Sequence, residues 1–534
     1  MTIPYTPGVV VHEIPSQNKP IEGVATSVVG FVGRAPGGPV NVPMEISSWT
    51  QFARIFGDPA DAIRTPPERP KGPFMEGAYL AHAVYGFFLN GNGVCWVVRV
   101  ADERASDVAQ VGLLNAGENE MFSVIALPGA TDVSVDVAED PPPQAADPTA
   151  GVALTPASTA AGGHPTFTVR VTSGDKTEEF PAVTVVPGPK YLPTVINTSS
   201  ELVRVADTGS LLPASNRVLQ SAEGLKPAKR QNPALAPEDL RGSPDQRTGI
   251  WALSTAHGVT TVCVPDAMSI AVDDAGNPDA EELTEIQNEV SAFCQAHGAM
   301  AIFDPPPLAI TPQEVKAYRT GAPSNRFTTL YWPWIKVSNP LGGDPIAVPP
   351  SGHVAGVWAR TDEERGVFKA PANEELRGAV DLAYHVDDTE QSDMNQRGIN
   401  AIRFFPGRGI RIWGARTLSG EVEPEWTYLN VRRLFNYLSA SILRGTQWAV
   451  FEPNDEALWV SLRVSVSNFL TTVWRTGALF GASPSEAFFV KCDAETNPPE
   501  ERDIGKVNIV VGVAPVKPAE FVIFQISQYQ ATAA

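Results

Sequence analysis

The chain has 534 residues, too many for one hydrophobic core, so roughly two to four domains are expected. Hydrophobic residues make up 43% and charged residues 19%, which suits a globular chain and excludes a disordered one. The formal net charge of −20 argues against nucleic acid as a direct partner, because a strongly acidic chain repels a polyanion.

Four cysteines (Cys95, Cys263, Cys294, Cys492) lie far apart without a CxxC pair, which fits a reduced cytoplasmic protein rather than a disulfide scaffold. The start, Met-Thr-Ile-Pro-Tyr-Thr-Pro-Gly, has no basic region followed by an apolar run, so no secretory signal is expected. No apolar segment approaches a bilayer span, so no membrane insertion is expected.

Residues 1–20 are too few for a compact domain, and by themselves they read as a frayed terminus. Val9-Val10-Val11-His-Glu-Ile14 is a short strand candidate, followed by Pro15 and Pro20, which stiffen the link to the next element. A buried strand is predicted over residues 25–32. Ser48-Trp-Thr-Gln51 has the form of a capping box opening a helix through Phe52, Ile55 and Phe56, closed by Gly57. A second helix is predicted over residues 73–89, and Gly91-Asn-Gly93 turns into the strand Val94-Cys-Trp-Val-Val-Arg-Val100.

From about residue 105 to 241 the composition shifts to Ala, Pro, Thr and Gly, with short alternating runs near 122–127, 133–137, 167–171 and 183–186. This pattern predicts a β-rich, sandwich-like insertion, with residues 227–246 as an exposed return linker. Regular α/β character resumes at Trp251. A strand over 258–266, a helix capped by Asp279 and ended by Gly298, and a strand over 299–304 imply a parallel crossover. Leu330-Tyr-Trp-Pro333-Trp-Ile-Lys336 is a further strand broken by its proline. The expected organisation is an α/β middle domain (21–104 plus 242–345), a β-rich insertion (105–241) and a C-terminal α/β domain (346–518), followed by residues 519–534. The fold class is therefore multidomain α+β.

The last third is the most informative. Gly398-Ile-Asn-Ala-Ile-Arg403-Phe-Phe-Pro-Gly-Arg408-Gly-Ile-Arg411-Ile-Trp-Gly-Ala-Arg416-Thr-Leu precedes two amphipathic helices. Tyr428, Val431, Leu434, Phe435, Leu438 and Ile442 line the first, with Gly445 past its end. Trp459, Leu462, Val466, Phe469, Leu470 and Val473 line the second, capped by Asn454 or Asp455 and ended by Gly477. Strands follow over 488–492, 507–513 and 521–526. These motifs, with Tyr-Leu-Asn-Val-Arg-Arg-Leu and Phe-Glu-Pro-Asn-Asp, resemble the C-terminal domain of contractile tail sheath proteins of phage tails and phage-tail-like injection systems. Tyr5-Thr-Pro-Gly-Val-Val-Val-His-Glu and Cys-Trp-Val-Val-Arg-Val are similar to N-terminal parts of the same family, so the resemblance covers residues 1 to about 100 and about 247 to 530.

The resemblance implies a sheath-type C-terminal domain and a structural subunit that polymerises helically around an inner tube protein. Contraction would drive that tube through a target envelope. It implies baseplate and cap proteins as further partners, cytoplasmic assembly, and release by lysis as part of a tail-like particle. It also implies that the N- and C-terminal arms pair with strands of neighbouring subunits. The arm residues are then Val9, Val10, Val11, Phe521, Val522, Ile523, Phe524 and Ile526. The acceptor strands carry Phe488, Val490, Val507, Ile509 and Val511.

Catalytic, cofactor and metal chemistry is expected to be absent. Cys294 and His297 sit i, i+3 on one helix without a second ligand pair. Asp266 and Asp304 occupy predicted strand ends, where α/β enzymes keep carboxylates, but adjacent prolines explain them as turn residues. Gly407-Arg-Gly409 lacks the third glycine of a dinucleotide loop at the required spacing. The competing readings are an α/β hydrolase using Asp266 and Asp304, and an adhesin or scaffold displaying the insertion. The arginines, with Arg408, Arg411, Arg416, Arg432 and Arg433 foremost, read either as ion pairs within the domain and between copies of it or as a contact surface for an acidic partner protein.

Overall fold

A computed structural model describes residues 20–57, 72–100, 110–114, 120–126, 133–140, 166–174, 176–186, 188, 190–207, 235–272, 278–420 and 422–520. The predicted arm strands, Val9–Val11 and Phe521–Ile526, lie outside the described residues. Two compact units emerge, one comprising Thr26–Gly366 with Ala370–Leu429, the other Met1–Ala25, Val367–Lys369 and Asn430–Ala534.

The larger unit is built on a nine-stranded sheet. Six central strands run parallel, in the spatial order Ile399–Phe405, Thr328–Trp332, Met300–Phe303, Thr261–Cys263, Val29–Gly33 and Cys95–Arg99. Antiparallel strands close both edges: Gly409–Ile412 and then Glu374–Glu375 at one, Met44–Ile46 at the other. Alternation along each strand feeds two apolar layers. Phe31 enters one layer with Leu80, Phe87, Val354 and Trp358, while Val32 enters the other with Ile286, Val290 and Phe293. The parallel strands are buried on both faces, which is why they read as continuous apolar runs.

Local signals place most helices. Ser48 Oγ accepts from the backbone N–H of Gln51, opening Trp49–Phe56. Asp279 caps Ala280–His297, and Gly298 ends that helix in the left-handed region at φ +67°. The second predicted helix starts later than expected, at Leu80–Asn90, because Gly72 and Gly77 adopt positive φ and the chain before Tyr79 turns. Helix Leu80–Asn90 crosses Ser351–Arg365 at close range. A side chain on Gly352 would overlap the backbone of Ala83, and one on Gly356 would meet the carbonyl of Phe87.

Pro333 divides the predicted 330–336 strand in two. Thr328–Trp332 stays in the large sheet, and Ile335–Val337 joins a separate antiparallel sheet with Ile346–Val348 and Ala379–Leu382. The expected boundary at 345/346 falls inside the larger unit, because the arginine-rich strands 399–412 extend the central sheet beside Thr328–Trp332.

Among the described residues of the insertion, two antiparallel three-stranded sheets form. One contains Gln110–Leu114, Glu120–Ala126 and Val203–Asp207; the other contains Val133–Glu139, Thr166–Ser173 and Lys176–Thr184. They share one apolar cluster with Phe122, Val135, Phe167 and Leu192. Helix Leu192–Ser199 was not legible in the sequence, because its β-branched and polar residues mimic a strand. In the expected linker, Pro237–Arg241 is a helix whose Leu240 is buried in the second apolar layer, so this part is anchored rather than exposed.

In the smaller unit, helix Leu429–Gly445 from its second residue onward and helix Glu456–Arg475 bury Leu434, Leu438, Val466, Phe469 and Leu470 against one another. Asp455 caps the second helix by accepting from the Leu458 N–H at 2.9 Å. Gly445 is the last helical residue rather than the one after it. A Cβ there would lie 2.7 Å from Ile21, so the glycine admits the segment 20–25 against the helix. The N–H of Val24 donates to Ser441 Oγ at 3.1 Å on the same helix.

Candidate functional site

In an α/β fold, catalytic carboxylates would sit at the carboxyl ends of the parallel strands. Sheet order reverses between Val29–Gly33 and Thr261–Cys263, the crevice where α/β folds usually bind ligands. Here Asp266 fills it. Its Oδ2 accepts from the backbone N–H of Arg34 at 2.6 Å, and its Oδ1 accepts from that of Tyr79, at the entry of helix Leu80–Asn90. Burial raises its pKa, and the Arg34 guanidinium and these N–H groups pull it back. Both oxygens are committed to fixing the chain, so Asp266 is a helix anchor.

Asp304 plays a parallel role. It is 3% exposed, and its Oδ1 accepts from the N–H of Ser351 at 2.9 Å, the first residue of helix Ser351–Arg365. Burial pushes its pKa up to about 7, against the opposing pull of Ser351. A value near neutrality suits a general base, but the adjoining cavity has a volume of only about 10 Å³. That is room for about one water and for no substrate.

Cys294 is buried, which raises its thiol pKa. His297 stacks on Phe293 at 4.2 Å and its Nδ1–H donates to the Phe293 carbonyl at 2.9 Å. Among the described residues no group of three or more His, Cys, Asp or Glu side chains could hold a metal, and no helix is long and apolar enough to cross a membrane. A second cavity, of about 90 Å³ and bordered by Arg319, Arg397 and Arg416, is also far below the size of a cofactor site.

The predicted acceptor strands do come together. Phe488–Lys491 and Val510–Val513 pair antiparallel, in the register Phe488↔Val513, Phe489↔Gly512, Val490↔Val511 and Lys491↔Val510. The second strand is shorter than expected. Val507 and Ile509 precede it and pack instead against Leu458, Trp459, Leu462 and Cys492. Phe488, Val490 and Val513 rest on the helical core, while Phe489 on the opposite face is 57% exposed and its ring covers Gly512.

This sheet has only two strands among the described residues. The N–H of Ala514 donates to the Ala487 carbonyl at 2.9 Å, which makes 487/514 a bonded pair. By alternation Phe488, Val490, Val511 and Val513 direct their main-chain groups away from the partner strand. The ends of the first strand's outer edge are occupied. The Phe488 N–H donates to Pro484, and the Cys492 carbonyl accepts from Arg463 Nη1 at 3.1 Å. Around Val490, and along Val511 and Val513, the edges are open among the described residues. A two-stranded sheet with open edges is marginal alone and is a ready template for added strands.

The arginines separate into distinct environments. Arg432 and Arg433 are 8% and 4% exposed, so these two drop out of any contact surface. Arg416 is half-buried and donates through Nη1 to the Asn395 carbonyl at 3.0 Å. Arg403 pairs with Asp388 at 2.7 Å. Arg408 is exposed, and its guanidinium lies 5.5 Å from the ring centre of Phe405 and 5.6 Å from that of Trp413. Arg411 donates from Nε to the Arg408 carbonyl at 3.1 Å and from Nη1 to the Asn373 carbonyl at 2.8 Å.

Residues 266–418 match the phage tail sheath protein central domain, and residues 421–528 match the phage tail sheath C-terminal domain. A tail sheath protein of Burkholderia phage BcepMu is 25% identical over 539 residues, spanning 95% of this chain and 94% of that protein. Among solved structures, the sheath complex of an extracellular contractile injection system (PVC) in the contracted state aligns at TM-score 0.55 and 23% identity, over 99% of both chains. The helical sheath of the anti-feeding prophage in the contracted state aligns at TM-score 0.56 and 23% identity, over 98% of this chain and 100% of that one.

Proposed function

The chain belongs to the contractile tail sheath family, and from that premise we propose that it is a structural subunit that polymerises helically around an inner tube and contracts to drive the tube through a target envelope. The observation that carries this reading is the sheet of Phe488–Lys491 and Val510–Val513, open-edged among the described residues, on a chain that is sheath-like along its whole length. Strand addition at such edges between copies, through a contact that does not close on itself, generates a helical filament. The donors are Val9, Val10 and Val11 and the strand Phe521, Val522, Ile523, Phe524 and Ile526. Baseplate and cap proteins terminate the polymer, and the particle assembles in the cytoplasm and leaves by lysis.

The chain itself is not an enzyme on this reading. Contraction draws on two alternative packings of the same subunits rather than on a bound nucleotide. The hydrolase alternative finds no support, since Asp266 and Asp304 both anchor helix entries.

Electron microscopy of the purified protein, alone and with a tube protein, tests the proposal. Tubes of regular helical symmetry that exist in a long and a short form are expected. Monodisperse globular particles at every concentration would exclude it.

A further inference from the structure

One face of the hairpin Ile399–Phe405 and Gly409–Ile412 carries more cationic charge than its own fold uses. Register sets Arg403 directly opposite Arg411, a cross-strand like-charge pair that costs stability unless it is compensated. Arg403 is compensated by Asp388. Arg411 stands in register with Glu375 on its other side, though that carboxylate lies beyond 4.0 Å, and among the described residues Arg408 has no carboxylate within 4.0 Å, so three arginines share two carboxylates. Both Arg408 and Arg411 are nevertheless held firmly. Phe405 and Trp413, with ring centres 4.4 Å apart, form the platform on which Arg408 lies. Asn373 accepts from Arg408 through its side chain and from Arg411 through its carbonyl.

A guanidinium pre-positioned in this way has lost much of its rotamer freedom before any partner arrives, and it matches a carboxylate in bidentate geometry. Stacked arginine and aromatic side chains are also the residue types that dominate interface energies.

We propose that this hairpin face is a docking prong for carboxylates of a neighbouring copy of the chain, with Arg408 and Arg411 as its paired contacts. The inference rests on the polymer reading above and names one of its contacts. Charge complementarity selects the occupant. The chain has 60 Asp and Glu against 40 Lys and Arg, so copies brought together repel over most of their surfaces. A rigid cationic face offers attraction that can set the register between them.

The experiment compares the full-length chain with R408E/R411E and R408Q/R411Q. Folding is followed by circular dichroism, and assembly by sedimentation and electron microscopy over a salt series. The expected result is a folded monomer whose critical concentration for tube formation rises about tenfold or more on charge reversal and less on neutralisation. Wild-type assembly at the same contact should weaken with salt. In a second arm, R408K is cross-linked with a carbodiimide in a mixture of isotopically light and heavy copies. A link from position 408 to an Asp or Glu of the other isotope is expected, and this arm decides the matter where charge reversal prevents folding. Wild-type tubes matched by R408E/R411E tubes at equal concentration would overturn the prong while leaving the polymer reading intact. So would links confined to one copy or formed only with a different protein. Absence of wild-type tubes under all conditions would instead defeat the polymer reading.

Discussion

Asp304 illustrates how a buried carboxylate can look catalytic while serving the fold. Its folded pKa of about 7 lies above the ordinary carboxylate value, so the native state holds a proton that the unfolded chain releases near pH 4. Between about pH 4 and 7 the native state therefore binds more protons, and stability falls as pH rises through that window, then levels off above it. Asn at this position keeps an oxygen for the Ser351 N–H and carries no charge at any pH. Asp304→Asn is expected to remove that slope. It should raise stability at pH 8 by roughly 1–3 kcal/mol relative to the native chain, change little at pH 4, and leave tube formation near normal. Urea unfolding of monomeric protein at the two pH values measures this. A variant less stable at pH 8 than at pH 4 by the native margin would contradict the assignment.

At the scale of elements, the two-stranded sheet is the feature that most needs completing. Its inner face is supplied by Phe488, Val490 and Val513 against the helices, and among the described residues its edges are open around Val490, Val511 and Val513. An added strand with the alternation Phe521, Ile523 on one face and Val522, Phe524, Ile526 on the other would bury apolar side chains on both. Burial contributes roughly 1.5–3 kcal/mol for each fully covered side chain, before the entropy of ordering the segment is subtracted. Truncation after Pro518 is therefore expected to yield a folded, soluble monomer that does not polymerise, and charged substitutions at Phe524 or Val10 to weaken assembly in the same direction. Sedimentation of the truncated protein checks this. Normal contracting tubes from it would rule out strand addition by the C-terminal arm.

At the scale of the whole molecule, the insertion is expected to fold separately and to face outward. Its two sheets share their own apolar cluster, distinct from the layers flanking the nine-stranded sheet. Deleting residues 105–234, which leaves helix Pro237–Arg241 and its Leu240 in the second apolar layer, and joining the flanks with a short linker should still give soluble protein that forms tubes. Complete loss of soluble protein would argue that the insertion completes the core of its host.

Much of this organisation was readable from the chain alone, wherever the determinant was local. Ser48, Asp279, Asp455 and Gly298 act within a few residues of the helix ends they mark, so capping chemistry placed those ends. The continuous apolar runs around Val29, Val262 and Ala301 announced parallel strands, because strands buried on both faces need no polar alternation. The family motifs identified the last third for the same reason. What the sequence left undecided depended on partners far along the chain. The late start of Leu80–Asn90 goes with its anchoring by Asp266, 187 residues from Tyr79. The extension of the central sheet by residues 399–412 depends on pairing with Thr328–Trp332. The role of Gly445 appears only when Ile21 is seen packed against it, and the burial of Arg432 and Arg433 only in the assembled unit. Side-chain type and spacing report what a segment can do by itself; which carboxylate anchors which helix, and which arginines still face solvent, is decided by long-range packing.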